Sequence, residues 1–87
     1  MSATAPPQRK LTVLSREYCS LCEKFVESLR QFQGRFDFEI EVIDVDSDPA
    51  LEERWGELVP VLLDGHLEVC HHFLDNEAVD ARLDGMK

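Results

Sequence analysis

Positive charge is scarce in this chain: nine Lys plus Arg stand against eighteen Asp plus Glu, a formal net charge of −9 over 87 residues. An average surface field of that sign repels phosphate backbones and anionic membranes, so nucleic acid and lipid surfaces are excluded as expected partners. The apolar stretches are only a handful of residues long, far short of the roughly 20 needed to span a bilayer. The N-terminus also lacks the apolar core of a secretory signal. Glycine and proline number four each, too few for a low-complexity or collagen-like chain. Three cysteines are too few, and odd in number, for a secreted disulfide scaffold. What remains is a soluble cytoplasmic protein, expected to be monomeric, with 44% hydrophobic residues and the length for one small domain.

Periodicity organises the chain. Residues 1–10, with Pro6 and Pro7 and no apolar repeat, read as a mobile tail before a domain over 11–87. Leu11 to Leu14 is a short buried strand. Leu21, Phe25, Leu29 and Phe32, with Cys22 and Val26 alongside, recur at three and four residues and predict an amphipathic helix. Ser20 and Glu23 have the spacing of a capping box, so that helix starts within a residue or so of Cys19, and Gly34 suits its left-handed C-terminal position. Phe38, Ile40 and Val42 alternate with Glu39 and Glu41 and lead into Ile43 and Val45, a second strand. Asp48 then Pro49 open a short helix that stops at Gly56. Val61 to Leu63 and Leu67 to Phe73 flank Asp64-Gly65, a hairpin dipeptide whose two residues both take positive φ. Asp75 caps a last helix to Leu83, with Ala78, Val79 and Leu83 facing inward. The order is strand, helix, strand, helix, strand, strand, helix.

The chemistry concentrates where the first strand hands over to the first helix. Cys19 and Cys22, three positions apart at a helix start, lie within disulfide reach, and unpaired backbone N–H groups there favour a thiolate on the first of them. Cys19 reads as the exposed nucleophile. Cys22, one turn in and on the apolar face, is placed to attack a mixed disulfide on Cys19 and release the partner. Mild oxidation is expected to join this pair and leave Cys70 free. Glu17 and Glu23 flank the thiols and oppose thiolate formation. The competing reading is a binding module that uses the cysteines for metal.

Cys19-Ser20-Leu21-Cys22 after the first strand, Val59-Pro60 before the third, the hairpin at Asp64-Gly65 and the order of elements together resemble the short-chain, glutaredoxin-like branch of the thioredoxin superfamily. The likeness spans Leu11 to Leu83. It implies an α/β thioredoxin-like fold, βαβαββα, with a four-stranded mixed sheet and three helices on both its faces. It further implies thiol–disulfide oxidoreductase activity on a protein or low-molecular-weight disulfide, with no bound cofactor. In that family the proline matching Pro60 has a cis peptide bond, and the residue matching Val59 offers its backbone to the bound peptide or glutathione. Arg16 would stand in for the basic residue that pairs with a glutathione carboxylate, and Tyr18 adjoins the nucleophile; both are candidate substrate contacts. The chain departs from the family at two points. Ser20-Leu21 replaces the usual Pro-Tyr, and Cys70-His71-His72-Phe73-Leu74-Asp75 replaces the Gly-Gly turn that holds the γ-glutamyl carboxylate. Glutathione binding is therefore expected to be weak, and a thioredoxin-type dithiol protein is the expected reductant.

Other residues read as structural. Cys70 and His72 share one face of the fourth strand and His71 the other, at the far edge of the sheet from the helix start, which disfavours a zinc cluster with the dithiol. Glu23 rather than His follows Cys22, which excludes c-type haem attachment. Trp55 reads as core. Glu39, Glu41, Asp44, Asp46 and Asp48 lack the central glycine and closing glutamate of a calcium loop and read as a solvated face and a cap.

Overall fold

A computed structural model describes residues 9–84; residues 1–8 of the expected tail and 85–87 lie outside the described residues. Four strands and three α-helices alternate as expected: β1 (Arg9–Ser15), α1 (Ser20–Gln31), β2 (Phe38–Asp44), α2 (Pro49–Trp55), β3 (Val61–Asp64), β4 (Leu67–His71) and α3 (Asn76–Asp84). β1 begins two residues before its apolar run and takes in Arg9 and Lys10. The strands form one mixed sheet in the order β2-β1-β3-β4. β1 runs parallel to β2 and antiparallel to β3, and β3 and β4 are antiparallel.

Alternation along the central strands sorts the side chains onto two cores. Leu11 and Val13 join Leu62, Phe25, Leu29 and Phe32 beneath α1, with Val79 and Leu83 of α3 closing the same face. Leu14 points the other way and packs with Val61, Leu63, Val45 and Trp55 against α2. Helices thus cover both faces of the sheet. Trp55 is core, with the Arg54 guanidinium 4.9 Å from its ring centroid.

Several local expectations need correcting. The first helix is capped by Cys19 itself and not by Ser20, which is already helical. Its buried face is centred on Cys22, Phe25 and Leu29, leaving Leu21 at the margin and 37% exposed. Past Gln31 the helix tightens into a 3-10 turn, Phe32–Gly34, and Gly34 is not among the residues with positive φ. The hairpin turns on Gly65-His66, one residue later than expected, because Asp64 pairs with Leu67. Only the first of the two turn residues, Gly65, has a positive φ (66°), the residue pattern of a type II′ turn.

β4 is not a regular strand. Leu62 pairs with Cys70 but Leu63 with Glu68, so Val69 is an extra residue, and both Val69 and Cys70 pack on the α1/α3 core. The strand ends at His71, and His72 has φ 67°, so the expected face sharing between Cys70 and His72 does not arise. The acidic string is accounted for locally. Asp44 accepts from the Asp46 N–H and Asp48 from the Ala50 N–H, each at 2.9 Å, while Glu41 pairs with Lys10.

The weight of α1 on the sheet rests on Leu29, fully buried between Phe25, Phe32 and the β1 side chains. Leu29→Ala should lower the unfolding free energy by about 2–5 kcal/mol, the range for deleting a fully buried leucine side chain, as read by urea unfolding. Ser28→Ala, on the exposed side of the same turn, should stay within about 0.5 kcal/mol of the parent.

Candidate active site

The pairing of the strands brings three chain segments to one end of the sheet. Leu14, near the end of β1, pairs with Val61 at the start of β3, and Val61 also pairs with His71 at the end of β4. The turn into α1, the Val59–Pro60 dipeptide and the segment after β4 therefore meet there. β4 is a lateral edge as expected, but its C-terminal end lies beside the start of α1 and not far from it.

At that end Cys19 occupies the N-cap with extended backbone, φ −105° and ψ 98°. Its Sγ accepts the Cys22 N–H at 3.1 Å, and its carbonyl accepts the Glu23 N–H at 3.2 Å. A sulfur in this position takes up one of the N–H donors that a helix start leaves unpaired. Cys22 is 3% exposed on the inward face, whereas Cys19 is only half-buried. Their Cα atoms are 5.2 Å apart and their sulfurs lie at disulfide distance. The helix start makes both relations at once: the spacing of three brings Cys22 back beneath Cys19 while turning it toward the core.

Pro60 follows a cis peptide bond from Val59, the geometry that the family resemblance implies, and its side chain is fully buried. The Pro60 carbonyl accepts the His72 N–H at 2.8 Å, and the His72 ring nitrogen Nε2 pairs with the Glu57 carbonyl at 3.1 Å. Those bonds tie the post-β4 segment to the proline turn. Val59 itself is half-buried against the α2 core.

Tyr18 has a left-handed backbone (φ 60°) and a side chain 99% exposed. Arg16 lies near the dithiol but is already engaged, Nε with Asp46 and Nη2 with Glu52, each at 3.1 Å. Two open grooves flank α1. One of about 680 Å³ holds Cys19 and Cys22 together with Arg16, Glu17, Tyr18, Glu23 and Glu27, and is bounded by Val42 of β2. The other runs from Leu21 past Lys24 and Phe25 to His72 and the exposed ring of Phe73.

Glu27 and Val42 did not stand out in the sequence as neighbours of the dithiol, nor did His72 and Phe73 as walls of the second groove along α1. Glu27 was within reach of helical spacing, four and eight residues after Glu23 and Cys19. Val42 required the parallel register in which it pairs with Val13. The placement of His72 depends on the β4 bulge and its positive φ, for which the sequence offers no signal.

Comparison with known proteins bears on this arrangement. The family described as Glutaredoxin-like domain (DUF836) matches residues 10–84. The chain belongs to that family. Among solved structures, this glutaredoxin-like chain is similar to protein Ne2328 from Nitrosomonas europaea, at 41% identity and a TM-score of 0.79, covering 95% of this chain and 99% of that one. It is also similar to target protein XcR50 from X. campestris, at 33% identity and a TM-score of 0.70, covering 86% and 96%. Thioredoxin 1 from Thermosipho africanus, at 23% identity and a TM-score of 0.59 over 88% and 93%, shares the fold. No curated protein matches. The thioredoxin-like fold anticipated from the sequence is thereby shown, and a redox role for the paired cysteines is compatible with it.

Among the described residues, no group of three or more His, Cys, Asp or Glu could hold a metal ion, and no helix is long and apolar enough to cross a membrane. Cys70 is free and half-buried, and its thiol pKa is raised. Burial is the main cause; a backbone hydrogen bond from Asp75 works against it, and the charges of Asp75 and Glu68 reinforce it.

Exposure and burial order the thiols. In the reduced protein at neutral pH, limited iodoacetamide should label Cys19 first and Cys70 more slowly, as read by peptide mapping. Labelling of Cys70 ahead of Cys19 would contradict the roles. Because the fold holds Cys70 protonated, the unfolded chain loses that proton first. Its contribution to stability is complete below the unfolded thiol value of about 8.5 and is lost as pH rises from there through the higher folded value. Cys70→Ala should flatten that part of the alkaline stability profile in urea unfolding.

Proposed function

We propose that the chain is a thiol–disulfide oxidoreductase in which Cys19 is the nucleophile and Cys22 the resolving thiol. The observation that supports this best is the asymmetry of the pair: one sulfur at the accessible helix cap, the other inward and within disulfide distance. The Cys19 thiolate attacks one sulfur of a substrate disulfide, forming a mixed disulfide and expelling the other substrate sulfur as a thiolate, which takes up a proton. Cys22 then loses its proton and attacks the Cys19 sulfur, closing the Cys19–Cys22 disulfide and releasing the second substrate thiol. Two electrons pass from protein to substrate. The backbone of Val59, ahead of the cis proline, supplies the edge against which a substrate peptide lies, with Tyr18 at the rim.

Recovery of the dithiol requires an external reductant, and a thioredoxin-type dithiol protein suits the site better than glutathione. Arg16 is shared between Asp46 and Glu52, and the loop after β4 has His72-Phe73 where the resembling family holds a carboxylate with glycine backbone. Such a reductant implies residence in a reducing compartment, in keeping with the cytoplasmic location expected of the sequence.

Two variants test the roles. Cys19→Ser should bring reduction of a peptide disulfide to background, and Cys22→Ser should still attack but accumulate mixed disulfides, visible as mass adducts on Cys19. Adducts on Cys70 in the Cys22→Ser protein, or full turnover by Cys19→Ser, would refute the assignment. For the return step, the rate of Cys19–Cys22 reduction should be higher with a reduced thioredoxin than with glutathione at matched driving force. A saturable, micromolar dependence on glutathione would reverse that choice.

A further inference from the structure

The carboxylates of α1 that line a groove gather on one flank of the helix. Lys24 borders the groove that runs to His72 and Phe73, and that groove contains neither sulfur of the dithiol. The groove that does contain them is lined by three carboxylates, Glu17, Glu23 and Glu27, and by two guanidinium groups, Arg16 and Arg30. None of these three carboxylates makes an ion pair with a described residue, whereas Arg16, the cation nearest the nucleophile in sequence, is already matched by Asp46 and Glu52. With Arg16 matched in this way, Arg30 alone stands against the three carboxylates, so the reactive cysteine opens onto a channel of net negative charge that also holds the half-exposed Val42 of β2 and the fully exposed ring of Tyr18. Field lines concentrate in such a cleft, and the ring face of a tyrosine attracts cations as well.

The channel has a length. Glu27 lies eight residues beyond Cys19, about 12 Å at the rise of an α-helix, which an extended peptide crosses in about four residues. We propose that this groove selects polypeptide disulfides that carry Lys or Arg within about four residues of the reacting cysteine. The inference rests on the oxidoreductase reading and adds the substrate class to it. Glu23 and Glu27 are specificity determinants, since they reach the flanking side chains of the substrate and not the sulfurs that exchange. The chemistry is unchanged: the protein dithiol becomes a disulfide and the peptide disulfide becomes two thiols.

The test uses three cyclic peptides with one internal disulfide, identical except that Lys, Gln or Glu flanks the cysteines. Each is reduced stoichiometrically by the full chain in its dithiol form and, separately, by dithiothreitol, whose rate corrects for the intrinsic reactivity of each peptide. The corrected Lys-to-Glu rate ratio should be about tenfold at low ionic strength and approach one in about 0.5 M salt. In the double variant Glu23→Gln/Glu27→Gln it should fall toward one even at low salt. A ratio near one or inverted in the parent protein, or one that the double variant leaves intact, overturns the proposed selection while the oxidoreductase reading stands. If the neutral Gln peptide is not reduced above background, the oxidoreductase reading fails and the selection falls with it.

Discussion

β1 is enclosed on every side, and the remaining elements are arranged by that enclosure. Leu11 and Val13 press against α1 on one face, Leu14 against the α2 cluster on the other, and β2 and β3 occupy both edges. Burying a strand on both faces requires two helical layers, and satisfying both of its edges requires one neighbour reached by a crossover and one from the hairpin. The crossover from β1 to the parallel β2 is α1, so the helix start must stand at the C-terminal end of β1. Placing Cys19 and Cys22 there gives the site its location without any further instruction.

The same enclosure explains which features were legible in the sequence. Alternation at Phe38–Val42 and the three-and-four spacing through Phe25, Leu29 and Phe32 are direct imprints of burial, and the strands and helices they imply are present. Asp48 and Pro49 encode their own helix start, because a cap and a fixed φ are local chemistry. Cys19 and Cys22 were legible for the same reason. What escaped was decided by pairing across the sheet. The bulge at Val69 follows from how Leu62 and Leu63 meet β4, and the turn centre at Gly65-His66 follows from the register of Asp64 with Leu67. Ser20 matched a capping pattern, yet the sulfur one residue earlier holds the cap, since a pattern of residue types does not say which neighbour the backbone leaves extended.

Helix α1 thus carries out three tasks with three faces. Its inward face holds α1 on the sheet and keeps Cys22 away from solvent. One flank supplies the carboxylates along the dithiol groove, and the other, with Lys24, borders a groove of mixed polarity ending at Phe73. The proline turn and the post-β4 segment are bound to each other through the Pro60 carbonyl and the Glu57 carbonyl, so the wall facing the helix start is a braced unit and not two independent loops.

The chain's surplus of carboxylates has another consequence, at the margins of the sheet. An open edge strand offers a row of unpaired N–H and C=O groups on which a second chain can build. Here the β2 edge carries Glu39 and Glu41, both exposed, alongside the half-exposed Val42. Another β2 edge brought against it would set carboxylates beside carboxylates, of which Glu41 alone has a cation among the described residues, Lys10, at hand. At the opposite margin, the extra residue at Val69 breaks the even spacing that a docking strand would need. Charge guards one border and irregularity the other, so a molecule that must keep an open groove beside an edge strand carries its own deterrent to fibrillar stacking.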